Sequence, residues 1–349
     1  VFAGISSGIW NVVYCNRSFI SGSPRIHLMT ALATPSRPPG RRRLRAITAD
    51  SLELPDAVRT AGRHDSLTAH IRATVDAGLR VLLAEQATAG DADEPESVHQ
   101  MRVAARRMRV ALRMDKGAIG PAATHLRGEL AWLGSLLGGV RDLDVLTERL
   151  TGDGADLPEP DLPPFGEVLS MLLADRSAAA DALVDALGGQ RYRSLLASLA
   201  AEATSSAEDA DAPDPAGLMV KPVRAVHTQL AASAESPSDA GWHLLRIKVK
   251  RVRYTAELAS RLAGRKQREA LTELAKQAKA LQELLGTFQD TVVTEQHLRE
   301  LVTDHAEQLS PHSLLVVGRL VERQVTKRDE LREHLPAACG DLYRATTAS

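Results

Sequence analysis

The sequence predicts an all-α fold, and three observations point to it. From about residue 62 onward Leu, Ala, Arg, Glu and Val dominate, good helix formers apart from Val, and no convincing alternating strand appears. Breaker-rich stretches at 88–96, 114–121, 151–164, 204–217 and 234–240 leave segments of helical length between them. One basic amphipathic segment occurs twice, once on each side of the chain's midpoint.

Composition narrows the function classes. Of 349 residues, 44% are hydrophobic and 25% charged, ordinary values for a protein with a packed core. No apolar run nears the roughly 18 residues that cross a bilayer, so no membrane partner is expected. Two cysteines, Cys15 and Cys339, are too few for a disulfide framework or a Cys-rich zinc site and fit a reducing, cytoplasmic compartment. The net charge of −1 names no partner, but its distribution does. Windows 99–113 and 243–257 carry +5 and +4, which leaves −10 for the rest of the chain.

Residues 1–28 show no clear period and lack the charged start and apolar run of a signal peptide. The expectation for 1–61 is a disordered or spurious extension, dispensable for folding, with Met29 as the true initiator. Within it, PSRPPGRRRLR at 35–45 reads as a solvated basic tail, with a second polyanion contact as its alternative. Helices are then expected near 64–87, 97–113, 121–150, 165–187, 190–203, 216–232, 241–262, 266–302 and 311–334. The acidic, Pro-containing stretch 204–217 is the best midpoint. It divides repeat one (62–203) from repeat two (218–345).

The repeat is specific. His99, Arg102, Arg106, Arg107 and Arg109 align with His243, Arg246, Lys250, Arg251 and Arg253 at an offset of 144. Leu133, Leu136, Leu137, Gly138 and Asp142 align with Leu281, Leu284, Leu285, Gly286 and Asp290 at an offset of 148. Apolar, glycine and charged positions match together, which chance similarity of Ala/Leu-rich helices explains poorly.

On a helix turning about 100° per residue, His99, Arg102, Arg106, Arg109 and Arg113 share roughly 80° of arc. Met101, Ala105, Met108 and Leu112 form the opposite, apolar stripe. The second copy places His243, Arg246, Lys250 and Arg253 against Leu245, Val249, Val252 and Ala256. Ordinary solvated faces interleave signs, because like charges one turn apart cost a few tenths of a kcal/mol each. The first helix therefore forgoes on the order of 1–2 kcal/mol, which an anion would offset. Asp142, Asp144 and Asp290 can pair with one or two arginines but not with ten cations.

Fifteen residues present their cations over about 21 Å, longer than one phosphate needs. Arginine's planar fork suits phosphate oxygens, so a long phosphate polymer fits the row. Nucleic acid fits electrostatically, but base-stacking aromatics are scarce and only Tyr254 lies among the cations. A metal or phosphorelay role for His99 and His243 is the sharper alternative. Neither histidine has metal ligands spaced around it in the sequence, and the bland reading is a hydrogen-bonding residue at the end of each row. There is no Walker A loop, nucleophile elbow or acidic cluster suited to magnesium, so no cofactor, metal or catalysis is expected.

From about 62 to 345 the chain resembles the conserved-histidine α-helical domain, the CHAD domain. The resemblance rests on VHQMRVAARRMRVALR at 98–113, LGSLLGGVRDLDVL at 133–146, WHLLRIKVKRVRYTAEL at 242–258 and LQELLGTFQD at 281–290. It implies two pseudo-symmetric antiparallel four-helix bundles whose basic helices line a central groove. It implies binding of inorganic polyphosphate, without chemistry, and a place on polyphosphate granules. The implied contacts are His99, Arg102, Arg106, Arg107, Arg109 and Arg113, with His243, Arg246, Lys250, Arg251 and Arg253. Arg141 and Lys279 on the third helix of each half supplement them, as do Lys221 and Arg224 on the helix that opens the second half. Glu257 stands where the first copy has Arg113, a departure that weakens that end of the second row. Relatives are often fused to a triphosphate tunnel domain, whose hallmark is alternating glutamates leading to a lysine on a strand. No such pattern occurs here, so a stand-alone module is expected.

Overall fold

The computed structural model describes residues 46–62, 64–115, 117–206 and 214–347. The basic stretch at 35–45, Met29 and the middle of the acidic linker lie outside these residues. Among those described, nine α-helices and two short 3-10 turns make up the fold, and no strand occurs. The helices are α1 Leu67–Glu85, α2 Pro95–Arg113, α3 Pro121–Gly154, α4 Leu162–Gly188, α5 Gln190–Thr204, α6 Pro215–Glu235, α7 Asp239–Leu262, α8 Arg265–Asp304 and α9 Pro311–Thr347. The 3-10 turns are Asp50–Leu52 and Glu159–Asp161. No helix among the described residues is long and apolar enough to cross a membrane.

Local chemistry sets the helix starts. Ser66 and Ser238 accept backbone N–H bonds from Ala69 and Gly241, and Asp214 accepts from Ala216 and Gly217, each satisfying donors that a helix leaves open. Pro95, Pro121 and Pro215 open their helices at the position where a missing N–H costs nothing.

Packing follows chain order. Helix α2 lies between α1 and α3, and α7 lies between α6 and α8. The first half carries one helix more than four, because the short α5 covers α1, α3 and α4. One apolar core fills each half. A third joins them at the far ends of the long helices, where Leu146 and Leu150 of α3 and Phe165 and Leu169 of α4 meet Leu298 of α8 and Val316 and Leu320 of α9. Leu258 and Leu262, in the last turns of α7, pack into the core of the first half.

Two stretches differ from the sequence expectation. Residues 46–61 are not a loose extension: they run as a strap along α1. Leu54 is buried, and the Gln86 side chain bonds both the N–H and the carbonyl of Ile47. The Arg59 N–H donates to Asp76 at 2.7 Å, while its guanidinium donates to the carbonyls of Ala203 and Ser205 at 2.8 Å each. The strap was hidden because it has no helical period. Helix α9 continues through Pro336 to Thr347 instead of stopping near 334. Leu335 and Leu342 are both fully buried, and that burial offsets the hydrogen bond that an internal proline removes.

Candidate functional site

The two basic helices are oriented by their apolar sides. Met101, Ala105, Met108 and Leu112 are at most 1% exposed, and Leu245, Val249, Val252 and Ala256 are at 0%. Close approach of α1 to α2 requires glycine at 78, where a Cβ would lie 2.6 Å from Met108 Cγ. With these stripes fixed in the two cores, the cationic faces turn toward the seam between the halves.

At that seam α2 and α7 touch. The Arg106 guanidinium lies 5.9 Å from the centre of the Tyr254 ring, and Arg253 lies 5.3 Å from it, both within cation–π reach. Beside this contact opens a cleft of about 780 Å³. Helix α2 lines it with Arg106, Arg109, Val110 and Arg113, and α7 with Ile247, Lys250, Arg251 and Tyr254. Helix α6 adds Leu218, Lys221 and Pro222, and the start of α3 adds Thr124 and Arg127. Seven cations thus face one acid, Asp115, whose carboxylate already accepts the N–H groups of Ile119 and Gly120.

The cations feel one another across the seam. Burial holds Lys250 down to about 7, and the charges of Arg246, Arg106 and Arg102 push the same way against the weaker pull of Asp290. Burial also lowers Arg246, with Asp290 opposing and Arg106 and Arg102 adding to the fall. The Arg246 Nε is buried without a hydrogen-bond partner among the described residues. Arg113 is lowered by burial and then by Arg127, Arg251 and Arg109. Rows from both halves therefore share one electrostatic environment.

The cleft continues as a strip toward the starts of α2 and α7. Arg102 pairs with Asp142 at 2.6 Å. His99 is lowered by burial and next by Arg141, while His243 Nδ1 and Gln289 Oε1 lie 2.8 Å apart. Of the three acids expected to serve these rows, only Asp142 pairs with them. Asp144 is taken by the buried Arg176 at 2.9 Å, and Asp290 by Arg149 at 2.8 Å.

Six of the sequence-predicted residues line the cleft: Arg106, Arg109, Arg113, Lys221, Lys250 and Arg251. His99, Arg102, Arg141, His243 and Arg246 belong to the strip. The others line neither, although Arg253 lies against the Tyr254 ring at the edge of the cleft. Arg253 is engaged by Glu257 at 2.7 Å and Gln282 at 3.4 Å, and Lys279 pairs with Glu283 at 3.6 Å. Arg107 and Arg224 are exposed and line no part of the cleft. Arg127 was missed, although a signal exists: it precedes Arg141 by about four helical turns and so shares its face of α3. Gly134 and Gly138 lie on that same face, with their Cβ positions 3.9 and 3.7 Å from the guanidinium nitrogens of Arg109 and Arg102.

A family model described as the CHAD domain matches residues 73–299. Two uncharacterized proteins of Mycobacterium tuberculosis, from strains CDC 1551 and H37Rv, are each 30% identical over 268 residues. These alignments cover 73% of this chain and 49% of each relative, so the chain spans about half the length of the curated relatives it matches. Among solved structures, the crystal structure of the CHAD domain from the plant Ricinus communis matches with a TM-score of 0.65 at 26% identity, covering 86% of this chain and 97% of that one. PptA from Streptomyces chartreusis matches with a TM-score of 0.61, covering 78% and 97% respectively. At 18% identity that second likeness is one of fold.

Proposed function

The chain belongs to the CHAD domain family, and on that premise we propose that it binds inorganic polyphosphate in the seam between its halves, without catalysing a reaction. One observation carries this reading: seven cations from four helices line one cleft with a single acid. Such a surface is unstable alone, because like charges repel and burial removes their water. A ligand with one negative charge per repeating unit and no fixed shape relieves all of them together. The arginines supply paired donors to phosphoryl oxygens, and each contact releases counterions from the polymer. The pseudo-twofold relation expected from the repeat makes α2 and α7 two banks of one groove. Polyphosphate-rich bodies in the cytoplasm are the proposed location.

The test is a binding assay with polyphosphate of defined lengths and DNA as competitor at equal phosphate concentration. Polyphosphate is expected to bind in preference, because Tyr254 is the single aromatic ring lining the cleft among the described residues, and one ring is too few to stack successive bases. Displacement by DNA at equal phosphate would contradict the reading.

A further inference from the structure

Lys250 has an unusual setting for a lysine. It lines the cleft, yet neither an ion pair nor a hydrogen bond engages its amine among the described residues. Arg106 and Arg109 of α2 and Arg251 of its own helix line the same cleft, and the charges of Arg246, Arg106 and Arg102 act on it. Among the described residues, the acid that favours its charged form is Asp290 of α8, and Arg149 already holds that carboxylate. An ammonium partly stripped of water, without a carboxylate partner and set among guanidiniums gives up its proton more readily. Burial and those charges bring it from its ordinary value to about 7. Lysines become nucleophiles in this way, by desolvation or by a neighbouring cation.

The same arginines gather phosphate anions, so a reagent carrying both a phosphate and an electrophilic carbonyl would be delivered to the free amine. We propose that Lys250 is an acylation site for small acyl phosphates. The Nζ lone pair attacks the carbonyl carbon, and the bond from that carbon to the phosphate oxygen breaks. Inorganic phosphate leaves, and the surplus proton on nitrogen passes to it or to water. No oxidant or further reactant is needed. The product is a neutral amide that can no longer take up a proton, so acylation removes one cation from the cleft. The proposal rests on the cleft being a phosphate-binding site, as argued above.

The experiment treats the full chain with acetyl phosphate at pH 7.5 and follows each lysine by peptide mass spectrometry. Lys250 is expected to react at least about tenfold faster than the exposed Lys266 and Lys276, because most of its amine is already free at that pH. Its rate should level off above neutral pH while theirs keeps rising. Excess polyphosphate should slow Lys250 alone, and Arg106→Gln should slow it as well. A Lys250 rate at or below that of Lys276 would overturn the proposal. Selective acylation that polyphosphate leaves unchanged would uphold the reactive amine and count against the polyphosphate reading. Polyphosphate binding without selective acylation would do the reverse.

Discussion

A lysine held among three arginines titrates together with whatever anion it binds. A polyanion favours the ammonium form of Lys250, so binding raises its pKa above the free value of about 7 and takes up a proton. Affinity for polyphosphate should therefore be highest near pH 6, where the amine is already charged, and fall as pH rises through 7 and 8. Lys250→Arg should flatten that profile, since a guanidinium keeps its charge throughout. Stability runs the other way. The unfolded lysine titrates near 10.4, so between about 7 and 10 the unfolded chain binds the extra proton and stability rises with pH. Lys250→Met should thus raise Tm at pH 7 while weakening polyphosphate binding, measured by thermal melts and titration on one sample. The histidines count for less. His99 is lowered by burial and by Arg141 and adds no charge at pH 7, so His99→Gln should cost less affinity than Arg106→Gln. The spacing of each basic row was legible because a helix turns about 100° per residue. The fate of Asp144 was not, because its partner Arg176 lies on a different helix, 32 residues away, and no local pattern links them.

Elements with a helical period were legible, though the end of α9 beyond Pro336 and the strap before α1 were not. The strap's contribution is one buried leucine and a set of side chain to backbone bonds that tie α1 to the end of α5. Burying a leucine contributes about 2 kcal/mol, and a change of that size moves Tm by roughly 3 °C in a domain of about 300 residues. A chain beginning at His64 should therefore melt a few degrees below one beginning at Ala46, with helicity by circular dichroism almost unchanged. Equal melting temperatures would show that the strap adds nothing. The basic helices make a different trade. Their apolar stripes hold them in the two cores, and the cationic faces they present to the seam cost stability. Neutral replacements in the cleft, such as Arg109→Gln, should accordingly leave Tm unchanged or raised, and lower affinity.

At the scale of the whole molecule, the two halves are held together at the far ends of their long helices and where α2 meets α7. The third core and the Arg149–Asp290 pair fix the seam, and Arg106 reaches Tyr254 across it. The sequence announced two basic rows but could not show that they meet, because the distance between repeats depends on how α3, α4, α8 and α9 pack. If one polymer spans both rows, its affinity should fall at least tenfold between about 50 and 200 mM salt, by analogy with counterion release from DNA. The most direct measurement is calorimetry of long and short polyphosphate on the native chain and on Arg106→Glu/Arg109→Glu, which reverses charge in one half only. A shared groove predicts one long chain per protein, much weaker binding of tripolyphosphate, and a loss of long-chain affinity well beyond twofold in the variant, because the new acids repel the ligand that the other half holds. Half the native stoichiometry at unchanged affinity would mean two independent sites and would contradict the account.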